Sequence, residues 1–359
     1  MPVKRARVIY NPSAGREVVK RDLPDILNVY EEAGYETSAF QTTPEALSAQ
    51  KEAARCCDEG YDLIVAAGGD GTIHEVINGM AGKDYRPRLA ILPAGTTNDY
   101  ARVLNIPRDD LVKAAKLIEK EESIFMDIGK VISKEHEKYF VNIGALGNLT
   151  ELTYEVSPQL KTVFGYLAYV IKGAELLPTI RPVSVEVEYN GGYYSGEATL
   201  IFVALTNSVG GFENIVPNKV LGNGKFSLII VKPGNILDLM QLVTRLLTEG
   251  THLESEKIIS VETDYVSVHM EDEEHLMVNL DGEYGGDAPV RFENLMNHIQ
   301  VIANREGMEV QMDHLSEAER DRMKSIFSDD VSSLQDQYDR RLEENIEESQ
   351  EENTDESKR

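Results

Sequence analysis

From Arg5 to about Gly129 the chain alternates between short apolar runs and stretches whose apolar residues recur at helical spacing. RARVIY, ETSAFQ, DLIVAA and LAIL read as strands, and residues 23–33, 45–58 and 72–80 read as the helices between them. Strands separated by helices do not pair as tight hairpins, so such a chain has to build a parallel sheet with helices on its faces. The expectation is a doubly wound α/β domain over residues 1–130.

After Ile128 the texture changes. KYFVNIG, VSVEVEY, TLIFVAL, KFSLIIV, VSVHM and LMVNL are short runs bounded by glycine or asparagine, and Asn190-Gly191-Gly192 is a hairpin signal between two of them. They predict a second, β-sandwich domain over residues 131–295, with a return segment at 296–310. One segment departs from this pattern: residues 160–177 carry apolar side chains at helical spacing, with aromatics among lysines. Residues 311–359 form an acidic tail that reads as charged helix fading into disorder, since EENIEESQEENTDESKR is nearly free of apolar residues.

Composition removes several classes of function. An apolar content of 42% supports packed cores, while a formal net charge of −26 opposes general nucleic-acid binding, which needs a basic footprint. No apolar run approaches the roughly 20 residues that span a bilayer. MPVKRARVIYNPSAG lacks a signal-peptide apolar stretch and runs directly into a strand, so the expected location is cytoplasmic. Cys56 and Cys57 are sequence neighbours on one helix, poorly placed for a disulfide, and are expected to be small core or surface residues. The histidines show no metal-ligand spacing, so zinc chemistry is not expected.

Chemistry concentrates in three glycine-containing turns. AAGGDGTIHEV places Gly68, Gly69, Asp70 and Gly71 where a strand hands over to a helix, and a helix amino terminus there offers free N–H groups to an anion. Taken alone, Asp70 or Thr72 could equally be an ordinary helix cap. The stretch is neither the GxxxxGKS/T phosphate loop nor the GxGxxG dinucleotide fingerprint. The first strand, however, ends in Tyr10-Asn-Pro-Ser-Ala-Gly15, and the fourth in Pro93-Ala-Gly-Thr-Thr-Asn-Asp-Tyr-Ala101. In a doubly wound sheet these ends converge on one crevice, and their amides, hydroxyls and carboxylates suit a polyphosphate with Mg2+.

NPSAG, GGDGT and PAGTTNDYA, in this order and spacing, resemble the soluble diacylglycerol kinase family. The resemblance covers about residues 3–305 and continues through SVGGFENIVP at 208–217 and LDGEYG at 280–285; GGDGT alone is weaker, because NAD kinases share it. It implies ATP in a cleft between an α/β domain and a β-sandwich, and phosphorylation of membrane diacylglycerol to phosphatidic acid. Carried onto this chain, Asn11, Pro12, Ser13, Ala14, Gly15, Thr42, Gly68, Gly69, Asp70, Gly71, Thr72, Ile73, His74 and Thr96 fall at ATP-contacting positions. Asp70, Asp99 and Asp127 fall in a carboxylate and water network for the catalytic Mg2+, and Glu283 at the general base, with Asp70 as the alternative base.

The chain departs from the family pattern twice. His74 stands where asparagine is usual. The loop that commonly reads LDDG is Leu221-Gly-Asn-Gly224 here, which leaves a structural Mg2+ at Leu221, Asn223 and Lys225 only an amide and backbone carbonyls. Arg16, Lys20, Arg21, Arg102, Lys161 and Lys172 are the candidate basic collar for an anionic phospholipid surface, and the resemblance leaves a homodimer open. The rival readings are a kinase for sphingoid bases, phosphatidylglycerol or NAD, and a non-catalytic nucleotide- or lipid-binding module. The last is disfavoured by the presence of Asp70, Asp99 and Glu283 together.

Overall fold

The computed structural model of the chain describes residues 3–120, 122–147, 182–206, 222–234, 256–270 and 276–304. Strands β1 (Lys4–Tyr10), β2 (Tyr35–Gln41), β3 (Leu63–Gly68) and β4 (Arg88–Pro93) pair in parallel in the order β2-β1-β3-β4. Every residue of β3 is buried, which is why LIVAAG carries no polar alternation. Helices α1 (Val18–Glu32), α2 (Ser48–Asp58) and α3 (Asp70–Ala81) connect the four strands. Helix α1 begins at Val18 rather than at residue 23 as read from the sequence: Pro24 lies inside it, costing a backbone hydrogen bond without ending the helix. With this strand order the winding reverses between β1 and β3, so the ends of those two strands border the crevice where such sheets bind ligands.

Two short helices, α4 (Asp99–Val103) and α5 (Leu111–Ala115), precede β5 (Ser123–Ile132), along which the chain leaves the first core. It continues through β6 (Glu137–Phe140), β7 (Ile143–Leu146), β8 (Val183–Tyr189), β9 (Gly192–Ala198), β10 (Leu200–Ala204) and β11 (Phe226–Val231). Strands β12 (Ile258–Thr263), β13 (Tyr265–Met270), β14 (Met277–Leu280), β15 (Glu283–Asp287) and β16 (Val290–Ile302) follow. Asn190-Gly191 closes the β8–β9 hairpin, with Gly191 at φ +80.

These strands divide between two sheets. The first sheet grows to ten strands by adding β16-β13-β8-β9, with β5 and β6 branching from β16; the second is antiparallel, in the order β12-β11-β10-β7-β14-β15. Their inner faces meet in a core where the Phe140 ring stacks on Phe226 at 5.8 Å and meets Phe292 edge-on at 6.0 Å, each fully buried. Val203, Leu228, Val266 and Val278 pack in the same cluster. The second domain is therefore a β-sandwich, one layer of which continues the sheet of the first domain.

The continuity runs through the β5–β16 pair. Residues 291–295 of β16 face 128–132 of β5, and 299–302 face 123–126, with a register shift between them. The sequence-derived boundaries at 130 and 295 thus fall inside β5 and β16, because strand residues look alike on either side of a boundary that they cross. Opposite the shift lies Asp127, whose carboxylate accepts the Asn297 N–H at 2.9 Å and the Gly224 N–H at 2.7 Å. The aromatic stretch at 160–177, SVGGFENIVP and the acidic tail lie outside the described residues.

Phe140→Ala removes the ring that joins both sheets, and is expected to cost about 3–5 kcal/mol of stability, read as a lowered midpoint in urea unfolding.

Candidate active site

The three glycine turns touch one another. Asn11 closes the first with its own side chain, Oδ1 accepting the Ser13 N–H at 3.0 Å, and its backbone N–H reaches the Ala67 carbonyl at 3.0 Å. Gly15 adopts φ +57, and a Cβ there would lie 2.9 Å from the Ala94 carbonyl oxygen, so the chain after β1 rests directly on the chain after β4. A Cβ on Gly95 would come within 2.6 Å of the Gly69 Cα. Only glycine allows that approach, and it brings backbone rather than side chains to the cleft. Thr42 joins them at the end of β2, donating its N–H to the Tyr10 carbonyl at 2.9 Å, and Thr96 is exposed on the β4 turn.

Asp70 is the first residue of α3, where a carboxylate favours the helix dipole. Its Oδ2 accepts the Thr97 hydroxyl at 2.6 Å and the Asn98 N–H at 2.9 Å. Asn98 in turn clasps Gly95, accepting its N–H at 2.8 Å and donating to its carbonyl at 2.9 Å. The β4 turn is therefore folded around Asp70. Thr97 and Asn98 were given no role in the sequence reading, and their bonds to Asp70 come from a different turn. Asp70 Oδ1 is buried without a hydrogen-bond partner.

Glu283 arrives from the other domain. Leu280 pairs with Glu283 across a two-residue Asp281-Gly282 turn, with φ +54 and +97, the left-handed pair that matches strand twist in a tight hairpin. The hairpin puts an exposed carboxylate beside the amino end of α3: a Cβ on Gly71 would lie 3.6 Å from Glu283 Oε1. Asp281, which the sequence reading quoted without a role, accepts the N–H groups of Val141 at 2.8 Å and of Asn142 and Ile143 at 2.9 Å. Its Oδ2 also lies 3.3 Å from His74 Nδ1.

His74 is buried, with Nε2 lying 3.2 Å from the Asn78 amide. One turn further along α3, Asn78 accepts the Tyr139 N–H at 3.0 Å and donates to the Tyr139 carbonyl at 2.9 Å. His74 and Asn78 together stitch α3 to the second domain. The side chain that the resemblance places at the nucleotide is turned here toward Asp281.

The remaining predicted carboxylates are placed differently from Asp70. Asp99 is buried at the start of α4, and both oxygens of Asp127 hold backbone N–H groups. Between the acids lies Tyr100, its hydroxyl buried and unpartnered. Burial first, and then the charges of Asp281 and Asp127, push the phenol well above its ordinary value, so it stays neutral. Asn223 Oδ1 accepts the Lys225 N–H at 3.0 Å, which commits it within its own loop; Leu221 lies outside the described residues. Among the described residues no three His, Cys, Asp or Glu side chains converge to hold a metal.

Of the basic candidates, Lys20 is exposed and Arg21 pairs with Asp22 at 2.6 Å, while Arg102 is half-buried on α4. Only the backbone of Arg16 is described, and Lys161 and Lys172 lie outside the described residues. Cys56 and Cys57 are both buried, and burial pushes their thiols up to about 12 and about 11, away from the reactive thiolate. No described helix is long and apolar enough to cross a membrane.

An α/β half that ends its strands in glycine turns, facing a sandwich that contributes an acid, is a two-domain kinase architecture, and comparison with known proteins gives the same pairing. Residues 5–131 match the diacylglycerol kinase catalytic domain, and residues 151–303 match the YegS C-terminal NAD kinase beta sandwich-like domain. The chain is 48% identical over 309 residues to the diacylglycerol kinase of Bacillus subtilis strain 168, covering 86% of this chain and 99% of that one. It is 45% identical over 300 residues to the diacylglycerol kinase of Staphylococcus aureus strain Newman, covering 84% and 92%. A crystal structure of a diacylglycerol kinase from Bacillus anthracis strain Sterne aligns with a TM-score of 0.66 at 26% identity, covering 85% of this chain and 99% of that one. The chain belongs to the diacylglycerol kinase family, a family of lipid kinases.

Gly95→Ala drives a methyl into the Gly69 backbone and is expected to destabilise the protein by about 1–3 kcal/mol. Denaturant unfolding measures the loss, and an unshifted midpoint would show that the two turns can separate at no cost.

Proposed function

We propose that the enzyme transfers the terminal phosphoryl group of ATP to the primary hydroxyl of membrane diacylglycerol, giving phosphatidic acid, with Mg2+ as the accompanying cation. The observation that carries this reading is the Glu283 carboxylate beside Gly71, an acid from the sandwich facing the amino end of α3. The diacylglycerol kinases that the chain resembles over most of its length support the acceptor.

The amino end of α3 at Asp70 and Gly71, with the Gly15 turn, Thr42 and Thr96, suits the phosphates of a nucleotide, because a helix amino end presents N–H groups to anions. The N–H groups of Asn11, Ser13, Ala14, Thr72 and Ile73 are donated within the turns, and Pro12 has none. Mg2+ takes few protein carboxylates and keeps several waters. Asp70 fits that demand with a buried oxygen lacking a partner, and Asp99 and Asp127 would act through water. Bound as its Mg2+ complex, the nucleotide supplies the phosphoryl group and neutralises charge on it.

Glu283 is better placed as base than Asp70. Asp70 has one oxygen committed to Thr97 and Asn98, whereas Glu283 is exposed at the cleft edge, where an acceptor hydroxyl can reach it. A positioned carboxylate taking that proton contributes about 10²- to 10⁴-fold in rate. The basic collar would bring the cleft to the lipid surface. Lys20 and Arg21 border an open hollow of about 320 Å3 at the start of α1, next to the NPSAG turn.

Glu283→Gln is expected to lower kcat by about 10²- to 10⁴-fold with KM for ATP within a few-fold, measured on diacylglycerol in mixed micelles. Asp70→Ala should lower turnover and weaken ATP together. Near-normal turnover in Glu283→Gln would remove Glu283 as base, and preferred use of a sphingoid base or phosphatidylglycerol would reassign the acceptor. The collar is tested by vesicle sedimentation of a Lys161→Ala, Lys172→Ala, Arg102→Ala triple variant. Its affinity for anionic vesicles should fall by roughly two orders of magnitude, and binding of the parent should weaken as salt rises. Unchanged sedimentation would discard the collar.

A further inference from the structure

We propose that His74 is a positioning residue: by gripping Asp281 it sets the separation between the amino end of α3 and the Glu283 carboxylate. This rests on Glu283 being the base, as argued above.

The geometry is a short chain of contacts. Glu283 is the first residue after the Asp281-Gly282 turn, so its place follows from where that turn is held. Asp281 is held on one side by three backbone N–H groups of residues 141–143, all within the sandwich domain. On the other side it meets His74 Nδ1, which belongs to the nucleotide domain. His74 and Gly71 are three residues apart on α3, hence on one face of the helix. The ring that grips the turn and the glycine that faces Glu283 are therefore stacked on one side of one helix.

A proton on Nδ1 of the neutral ring donates to Asp281 Oδ2. The two hydrogens of the Asn78 amide go to the His74 and Tyr139 carbonyls, both at 2.9 Å, so its 3.2 Å approach to Nε2 is a packing contact. The link needs no charge on the ring, and a side chain that supplies only a donor at the Nδ1 position can replace it.

The link is also separable from folding. Asn78 holds α3 to Tyr139 through two hydrogen bonds of its own, and Asp281 keeps its three N–H partners without the ring. Loss of the ring contact should leave the domains docked while freeing the helix end to drift from the turn. A drift of about 1 Å at a reacting group costs on the order of 10²-fold in rate.

The test uses the full-length enzyme with ATP and diacylglycerol in mixed micelles, for His74→Leu, His74→Asn, His74→Gln and Glu283→Gln. His74→Leu should lower kcat by roughly 10²-fold with KM for ATP within about threefold. His74→Asn puts an amide N–H near the Nδ1 position and should restore kcat to within about fivefold of the parent, whereas His74→Gln, whose amide mimics Nε2, should stay as slow as leucine. If His74→Gln keeps parental kcat, or if KM for ATP rises more than tenfold while kcat holds, the positioning role is overturned and the second result makes His74 a nucleotide contact. Failure of the underlying reading looks different: Glu283→Gln would itself stay active. Slow Glu283→Gln with a fast His74→Leu sinks this proposal alone.

Discussion

Strands β5 and β16 cross from one hydrophobic core to the other as a single antiparallel pair, and the relation between the two domains hangs on the point where their register slips. Slippage inside a paired sheet leaves backbone N–H groups without ladder partners, a cost of a few kcal/mol if they are buried. Asp127 accepts the Asn297 N–H freed at the slip and, with its second oxygen, captures Gly224 from the loop before β11. The neighbouring residues reinforce the joint: Arg86 donates to the His298 carbonyl at 2.9 Å, and the His298 ring lies 2.7 Å from the Ala81 carbonyl at the end of α3. Burial lowers the His298 pKa, so the ring is neutral where it meets that helix end. The bulge is a welded corner, and it fixes which face of the sandwich looks at the ends of β1, β3 and β4.

The welds are carboxylates served by backbone donors. Asp70, Asp127 and Asp281 each accept main-chain N–H groups, and His74 lies 3.3 Å from Asp281. Hydrogen bonds to a charged acceptor are roughly twice as strong as neutral ones, so a few of them stabilise a buried acid without a lysine or arginine alongside. Asp127 and Asp281 are turned into the protein, where they hold loops, while Glu283 stays exposed at the cleft edge.

Much of this was legible in the sequence, and the limits follow from which interactions are local. Alternating strands and helices, the Asn190-Gly191 hairpin and the glycine turns are written in neighbouring residues, so the fold class and the convergence of the three turns could be read directly. The first helix starts at Val18, five residues before the start read from the sequence, and runs through Pro24. The boundaries read at 130 and 295 fall inside β5 and β16, strands that run from one core into the next, so nothing local marks the crossing. Asp281 and Asn78 could not be assigned at all: their partners, at residues 141–143 and 139, are set by tertiary folding. The signal that was available for Asp281 is its place in an Asp-Gly turn immediately before the acid, which demands a residue tolerant of φ +54.

Net charge and local charge pull this protein in opposite directions. At −26 the chain as a whole is repelled by an anionic surface, yet at physiological salt that repulsion is screened beyond about 8 Å. Any approach to a charged lipid therefore depends on what stands within one screening length of the surface, not on the total. In the sequence after the NPSAG turn, Arg16, Lys20 and Arg21 stand against Glu17 and Asp22, a local surplus of one positive charge, and Arg21 is paired with Asp22 at 2.6 Å. A surplus that small would give only weak, salt-sensitive contact with an anionic surface.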